Sequence, residues 1–179
     1  MERSLVTEPI TFAVLTVSDR CFQGAAEDTA GPALVALLEA RLEATKFTTA
    51  VVPDDVVAVS DQIVDWAEGV PAPELILTTG GTGLGPRDVT PEATHAVLER
   101  DHPGLMELAR ARGAQSSPKA YLSRGLAGTV RGSLVINLPG SEKGAVESLE
   151  ALIDLLPHAI GTMRGEGHGA PYDEIPLER

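Results

Sequence analysis

A glycine-rich stretch followed by charged residues is the part of this sequence best suited to chemistry. Residues 75–94 read LILTTGGTGLGPRDVTPEAT, with four glycines before Arg87 and Asp88. The apolar start predicts a buried strand, and Thr90-Pro91-Glu92 predicts a helix start with Thr90 as its N-cap. A strand, a glycine turn and a helix start can bind an anion through backbone N–H groups. A tight connection without a ligand is the alternative, but the neighbouring Arg, Asp and Thr side chains favour a ligand.

Composition limits the partners and cofactors of this chain. Its 179 residues fit one domain, and a formal net charge of −12 argues against nucleic acid and acidic membranes as partners. A phosphate-bearing ligand therefore needs local cations, backbone amides or a divalent metal ion. The single cysteine, Cys21, excludes an internal disulfide and a cysteine-rich zinc site. The sequence shows no signal peptide and no membrane-spanning apolar run, so we expect a cytoplasmic protein.

The order of apolar runs and amphipathic segments predicts one α/β domain with an open, mainly parallel sheet between helices. We place this domain at residues 11–164, after an N-terminal lead-in at 1–10 and before a peripheral tail at 165–179. Residues 115–130 have no regular pattern, and Pro157 is expected to kink the last helix. The predicted strands are 11–17, 47–52, 75–79 and 133–138, and the predicted helices are 31–44, one ending at 68, 90–99, 103–112 and a long one from 145.

Polar or glycine residues follow each of the predicted strands, at the sheet edge where open α/β folds bind ligands. Ser18 and Asp19 follow the first strand, although an ordinary turn would use the same residues. Asp54 and Asp55 follow the second, where they could hold a hard cation, but a helix start is the favoured interpretation. Acids beside a glycine anion site suit Mg²⁺-dependent phosphoryl or nucleotidyl transfer, because the metal neutralises phosphate charge.

Six segments, in this order, resemble the molybdopterin adenylyltransferase family. The family includes bacterial MogA and MoaB and the G domains of a plant enzyme and of gephyrin, and the likeness spans about residues 11–164. Ala30 departs from the family pattern because many members carry serine there, and Glu142 before Lys143 replaces a commoner proline. The segments are TVSDR at 16–20, VPDD at 52–55, ILTTGGTG at 76–83, PRDVTPEAT at 86–94, LSRG at 122–125 and INLPGS at 136–141.

The resemblance implies a three-layer α/β sandwich, the MogA-like molybdopterin-binding fold, assembled as a homotrimer. It implies Mg²⁺-dependent transfer of AMP from ATP to the terminal phosphate of molybdopterin, release of pyrophosphate, and hand-off of the product to a molybdenum insertase. Asp54 and Asp88 match the functional acids of the family and are expected to organise Mg²⁺ and phosphate. The other expected contacts to nucleotide or molybdopterin are Ser18, Asp19, Asp28, Thr79, Gly80, Gly81, Thr82, Gly83, Ser123, Asn137, Pro139, Gly140 and Ser141.

Two other functions stay open at the level of the sequence. A non-catalytic, MoaB-like carrier would bind molybdopterin or its adenylate and pass it on without chemistry. A general Mg²⁺-dependent nucleotide hydrolase would turn over ATP without any pterin. The presence of both Asp54 and Asp88 favours the adenylyltransferase over the carrier, since a carrier needs no metal-binding acids.

Overall fold

The computed structural model describes residues 8–165, which form a six-stranded sheet with helices on both faces. The strands are β1 (Ile10–Val17), β2 (Ala44–Val52), β3 (Leu75–Thr79), β4 (Arg100–Asp101), β5 (Ala127–Val130) and β6 (Ser133–Leu138). They lie in the order β2-β1-β3-β6-β5-β4. The four strands β2, β1, β3 and β6 are parallel to one another, whereas β5 is antiparallel to both β6 and β4. The predicted α/β sandwich with a mostly parallel sheet is confirmed.

The helices form the two outer layers of this sandwich. They are α1 (Asp19–Phe22), α2 (Ala30–Arg41), α3 (Val56–Ala67), α4 (Thr90–His95), α5 (Pro103–Ser116), α6 (Glu142–Leu152) and α7 (Leu156–Met163). Apolar residues of α2, α5, α6 and α7 pack on one face of the sheet, and those of α3 and α4 on the other. Among residues 8–165, the helices are too short or too polar to span a bilayer.

The central strands are mostly apolar and are buried along almost their whole length, because both of their faces are covered. In β3, Leu75 and Leu77 point toward the layer that contains α2 and α6. Ile76, between them, points toward the layer that contains α3, since successive side chains of a strand face opposite sides. All three side chains are fully buried, so this short strand anchors both cores.

Two predictions in the first half of the chain are wrong. The predicted helix 31–44 ends at Arg41, because Leu42 adopts an extended backbone, and β2 begins at Ala44 rather than at residue 47. The pairing of Ala44 with Ile10 of β1 extends this strand beyond its apolar part.

The segment between β3 and β6 also differs from the prediction. The helix predicted at 90–99 ends at His95, and the helix predicted at 103–112 continues to Ser116. The irregular segment contains β5, which pairs with the two-residue strand β4. A Cβ atom on Gly128 of β5 would lie 2.4 Å from the carbonyl oxygen of Arg100, so this pairing depends on a close backbone approach. Neither strand has the alternating pattern that would have revealed it.

The long helix predicted from residue 145 is divided into two in the structure. It begins at Glu142, where the Ser141 hydroxyl accepts a hydrogen bond of 3.2 Å from the Gly144 amide as an N-cap. A 3₁₀ turn at Ile153–Leu155 interrupts it, and Pro157 lies in the first turn of the new helix α7. The proline therefore begins a helix, a position that suits its fixed φ, rather than kinking one. Most of the predicted lead-in (residues 1–7) and of the predicted tail (residues 166–179) lies outside residues 8–165, the part of the chain that the structure describes.

Asn137 joins three parts of the fold from inside the core. It is fully buried, and its side-chain amide donates hydrogen bonds of 2.9 Å to the hydroxyls of Thr78 and Thr94. Its side-chain oxygen accepts a bond of 3.1 Å from the Leu126 amide, which aligns the segment before β5 with β6. The interpretation of Asn137 as a ligand contact is therefore corrected, because all of its polar side-chain atoms already serve the protein interior.

We expect Asn137→Ala to lower the free energy of unfolding by about 2–4 kcal/mol, because it leaves two buried hydroxyls and one amide without their partner. Urea unfolding followed by circular dichroism measures this loss. Gln115→Ala, an exposed amide on α5, is the matched control and should change stability by less than about 0.5 kcal/mol. Equal unfolding midpoints for the two variants would contradict the structural role of Asn137.

Candidate active site

The polar segments predicted at the carboxyl edge of the sheet do meet there. The Asp19 amide donates a hydrogen bond of 2.7 Å to Asp54 Oδ2, which connects the ends of β1 and β2. The Thr79 hydroxyl donates one of 2.7 Å to the carbonyl oxygen of Pro139, which connects the ends of β3 and β6. The parallel arrangement of these strands is the reason that their ends converge.

Two cavities, with volumes of about 580 Å³ and 270 Å³, adjoin at this edge. Gly81, Asp88 and Gly140 border both of them. The predicted residues that line only the larger cavity are Thr82, Gly83, Ser123, Pro139 and Ser141. The predicted residues that line only the smaller cavity are Ser18, Asp28, Asp54, Thr79 and Gly80. The site predicted from the sequence is therefore a pair of adjoining cavities with a shared wall.

The shared wall contains the glycine loop, which we define as residues 80–89. Gly80 and Gly81 have φ values of 104° and 62°, a region that L side chains rarely adopt. A Cβ atom on Gly80 would lie 2.2 Å from the carbonyl oxygen of Val17, and one on Gly81 would lie 3.2 Å from Asp54 Oδ1. Glycine is required here because the loop passes directly against β1 and one of the two predicted acids.

The Asp88 carboxylate turns back onto its own loop. Its Oδ2 accepts a hydrogen bond of 2.7 Å from the Gly85 amide. Cβ atoms on Gly83 and Gly85 would lie 2.9 Å and 2.8 Å from the same oxygen, so both glycines leave room for this carboxylate. Asp88 Oδ1 accepts no hydrogen bond from residues 8–165 and remains available to a ligand.

The two consecutive acids after β2 have different roles. The Asp55 carboxylate accepts a hydrogen bond of 2.9 Å from the Ala58 amide and is the N-cap of α3. The favoured helix-start interpretation is thus confirmed for Asp55. Asp54 instead borders the smaller cavity, and within the described residues its Oδ1 accepts no hydrogen bond. The pair therefore supplies one structural acid and one acid that faces the cavity.

Asp19 lies behind Asp54 and lines neither cavity. Its Oδ1 accepts a hydrogen bond of 3.0 Å from the Asp54 amide, and Arg87 donates to both of its oxygens at 2.8–3.1 Å. These bonds to the Arg87 guanidinium lower the pKa of the Asp19 carboxyl. The predicted ligand contact is corrected to a supporting position, because both carboxylate oxygens are occupied by protein donors.

Ser18 and Asp28 border the smaller cavity and also support the local backbone. The Ser18 hydroxyl accepts a bond of 3.2 Å from the Cys21 amide, as expected for the turn interpretation. Asp28 accepts bonds of 2.6 Å from the Thr16 hydroxyl and 3.0 Å from the Gly31 amide. Ala30, the position that departs from the family pattern, lines the same cavity with a methyl group. Both polar side chains are therefore held in place before any ligand enters.

Two residues of the glycine-loop region were misassigned or missed. Val89, not Thr90, is the N-cap of α4, and the buried Thr90 hydroxyl donates a bond of 2.8 Å to the Gly80 carbonyl. Arg124 follows the predicted Ser123 and contacts the glycine loop through its guanidinium. Its position in the polar LSRG segment was the one sequence signal that could have pointed to it.

Cations gather around the larger cavity despite the negative charge of the chain. Arg110, Lys119 and Lys143 all line it, together with the apolar side chains of Met106 and Leu122. Arg110 is fixed by bonds of 3.2 Å to the carbonyl oxygens of Ser123 and Gly125. The cavity thus combines an apolar surface with cations, as a flat heterocycle with an anionic group requires.

The acids of the smaller cavity fit a magnesium ion that arrives with a nucleotide. Asp54 and Asp88 each present one carboxylate oxygen that the described residues do not occupy. Residues 8–165 contain no cluster of three or more acids, histidines or cysteines that would hold a cation alone. Mg²⁺ commonly binds through one or two carboxylates and completes its shell with water and substrate phosphates.

Comparison with known proteins agrees with this fold. The sequence pattern of the probable molybdopterin binding domain family matches residues 13–158. The chain belongs to this family. It is 36% identical to the molybdopterin adenylyltransferase of Helicobacter pylori over 88% of this chain and 90% of that protein. It is 42% identical to the molybdenum cofactor synthesis protein cinnamon of Drosophila melanogaster over 86% of this chain, but spans only 25% of that relative.

Solved structures of molybdopterin biosynthesis proteins have the same fold. The molybdopterin biosynthesis enzyme MoaB of Thermus thermophilus is 44% identical, with a TM-score of 0.82 over 87% of this chain and 97% of that one. A MogA structure is 35% identical, with a TM-score of 0.80 over 86% of this chain and 99% of that one. The family and the fold predicted from the sequence are both confirmed.

We expect Gly80→Ala to lower the free energy of unfolding by about 2 kcal/mol or more, because alanine is strained at this φ and meets the Val17 carbonyl. Urea unfolding measures this change. Gly132→Ala is the matched control, since a Cβ atom there meets nothing within 4 Å, and it should change stability by less than about 0.5 kcal/mol. An unchanged midpoint for Gly80→Ala would show that the loop does not approach β1 this closely.

We expect Arg87→Gln to raise the pKa of Asp19 toward its ordinary value near 4, because the guanidinium that favours the charged carboxylate is gone. Carboxyl ¹³C NMR titration measures the change, with exposed Arg112→Gln as control. The folded pKa is below the unfolded one, so the ion pair stabilises the fold above pH 4 and loses this effect as pH falls through the folded pKa. An Asp19 pKa that is the same in Arg87→Gln as in the wild type would contradict the ion pair between Arg87 and Asp19.

Proposed function

We propose that this protein is a molybdopterin adenylyltransferase of molybdenum cofactor biosynthesis. It transfers AMP from ATP to the terminal phosphate of molybdopterin and releases pyrophosphate. The observation that carries this proposal is the position of Asp88 on the wall shared by two adjoining cavities. A transfer between two substrates needs both of them held side by side, with the reacting groups at the junction. Adenylyltransferases of Helicobacter pylori and Haemophilus influenzae, each 36% identical to this chain, support the assignment.

The chemistry of each cavity suggests which substrate it binds. We assign molybdopterin to the larger cavity, where an apolar wall suits a pterin and the cations Arg110, Lys119 and Lys143 suit its phosphate. We assign the phosphates of ATP to the smaller cavity, beside the glycine loop and Asp54. This arrangement brings the terminal phosphate of molybdopterin toward the α-phosphate of ATP at the junction near Asp88.

The reaction then needs positioning and charge neutralisation more than proton transfer. An oxygen of the molybdopterin phosphate forms a bond to the α-phosphorus of ATP, and the bond from that phosphorus to the bridging oxygen breaks. The nucleophile is already ionised, so no side chain has to act as a general base. Lys143 and Lys119 attract the phosphate to the cavity, and the glycine loop offers backbone N–H groups at the junction.

Asp54 and Asp88 are the residues that would hold Mg²⁺ in this proposal. When bound, Mg²⁺ neutralises charge on the phosphate oxygens of ATP and so makes the α-phosphorus easier to attack. The fixed neighbours of the two acids keep them in place: the Asp19 amide bonds Asp54, and the Gly85 amide bonds Asp88. We also propose that the protein is a cytoplasmic homotrimer and that it passes adenylyl-molybdopterin to a molybdenum insertase. These proposals rest on the family resemblance.

We expect Asp88→Asn to lower the rate of molybdopterin-dependent pyrophosphate release from Mg-ATP by about 100-fold or more, because it removes one of the two carboxylates that would hold Mg²⁺ at the reaction centre. The assay measures pyrophosphate with and without molybdopterin for the wild type and the variant. Asp61→Asn, an exposed acid on α3 outside both cavities, is the matched control and should keep the wild-type rate.

Two results would overturn the proposal in different ways. Tight molybdopterin binding without pyrophosphate release in the wild type would identify a carrier. Turnover of ATP at the same rate without molybdopterin would identify a nucleotide hydrolase. Only release that depends on molybdopterin and collapses in Asp88→Asn agrees with adenylyl transfer through this site.

A further inference from the structure

Arg124 contacts the glycine loop at three separate points. Its backbone amide donates a hydrogen bond of 2.8 Å to the carbonyl oxygen of Thr82. Its Nε donates one of 2.7 Å to the carbonyl oxygen of Gly83, and its Nη2 donates one of 2.7 Å to that of Asp88. The guanidinium therefore joins the two ends of the segment from Gly83 to Asp88.

Besides Arg124, this segment is held from outside by the ion pair of Arg87 with Asp19 and from inside by two bonds of its own. Residues 83–88 belong to no helix or strand. Within the segment, the Gly85 amide donates to Asp88 Oδ2, and the Asp88 amide donates to the Gly85 carbonyl. Gly83 and Gly85 also leave the backbone with more conformational freedom than other residues would. A donor from outside the loop is therefore well placed to decide which conformation the loop keeps.

Glu92 holds the Arg124 guanidinium in the orientation that these contacts need. It is the first-turn acid of α4, and it forms an ion pair with Arg124 Nη1. The hydrogen bond with Arg124 lowers the pKa of Glu92 and raises that of Arg124, so both groups stay charged across the physiological range. The planar guanidinium can contact Glu92, Gly83 and Asp88 together because its five N–H donors are fixed in one plane.

We propose that Arg124 is a positioning residue for adenylyl transfer, which holds Gly83 and Asp88 together so that the Asp88 carboxylate stays at the junction of the two cavities. Arg124 itself lines neither cavity, so it acts through the loop and not on the substrates. This inference rests on the proposed function, and its consequence is specific. Loss of Arg124 should impair the chemical step more than substrate binding.

Steady-state kinetics of Arg124→Gln test this inference. We expect kcat for molybdopterin-dependent pyrophosphate release to fall about 10- to 100-fold, because small displacements of a reacting geometry have effects of that size. KM for ATP and for molybdopterin should change less than about threefold. Arg131→Gln is the matched control. Like Arg124, Arg131 forms ion pairs with glutamate side chains, here Glu68 and Glu99, and it lies outside both cavities. It should keep the wild-type kcat.

Arg124→Lys separates geometry from charge. Lysine keeps the positive charge but lacks the planar fork, so it cannot bond Gly83, Asp88 and Glu92 together. We expect it to recover only a small part of the lost kcat. Full recovery by lysine, or an unchanged kcat in Arg124→Gln, would overturn the positioning role. Should Arg124→Gln not fold, Glu92→Gln carries the test and should lower kcat in the same direction by a smaller factor, with an unchanged value contradicting the inference.

Amide hydrogen exchange distinguishes a failure of this inference from a failure of the proposed function. Peptides covering residues 80–90 should exchange faster in Arg124→Gln than in the wild type, whereas peptides from α3 should not change. This readout needs no activity, so it holds even if the wild type releases no pyrophosphate. Unchanged exchange in the glycine loop would overturn the inference, whatever the protein catalyses.

Discussion

The close approach of the glycine loop to the end of β1 is the constraint on which the rest of the site depends. Gly80 passes so near the Val17 carbonyl that a Cβ atom would lie 2.2 Å from it. On the other side, a Cβ atom on Gly140 would lie 3.0 Å from the Cα of Gly80. Three adjacent strand ends thus meet without side chains between them. This leaves room for cavities on both sides of one thin wall, and it places Asp54 and Asp88 at that wall.

Electrostatics explains how an acidic chain can handle anionic substrates. The net charge of −12 repels phosphate at long range, but three cations line the larger cavity. Among residues 8–165, the smaller cavity is lined by acids and no cation, so an anionic ligand there would need Mg²⁺ or backbone amides. Arg87 and Arg124 pair with Asp19 and Glu92 and hold the backbone near Asp54 and Asp88. Arg110, Lys119 and Lys143 instead line the larger cavity. Arg87 and Arg124 therefore support the loop, whereas the second set of cations borders the cavity itself.

The relatives indicate that this domain is a self-contained unit. The chain spans 90% of the Helicobacter pylori adenylyltransferase, but only 25% of cinnamon and 23% of Dictyostelium discoideum gephyrin. Within residues 8–165, every residue that lines the two cavities lies between 16 and 148, inside the matched segment 13–158. A longer protein could therefore contain the same site within one of its parts.

The sequence alone determined the parallel sheet, the polar strand ends and the two acids. Apolar runs identify buried strands, and parallel strands bring their carboxyl ends to one edge, so the residue pattern already places Asp54 and Asp88 near each other. The family motifs indicated the reaction, which is adenylyl transfer to molybdopterin. These features depend on local patterns or on topology that follows from them, which is why they were predictable.

Only the tertiary structure decided where each side chain points and what it contacts. Asn137 and Asp19 stand among family motifs, yet one is buried in the core and the other supports Asp54. The pairing of β4 with β5 depends on the close approach of Gly128 to Arg100, which no local pattern records. Arg124 gains its importance from contacts 36 and 41 residues away in sequence. Such long-range contacts follow from packing, so the sequence names the candidates and the fold assigns their roles.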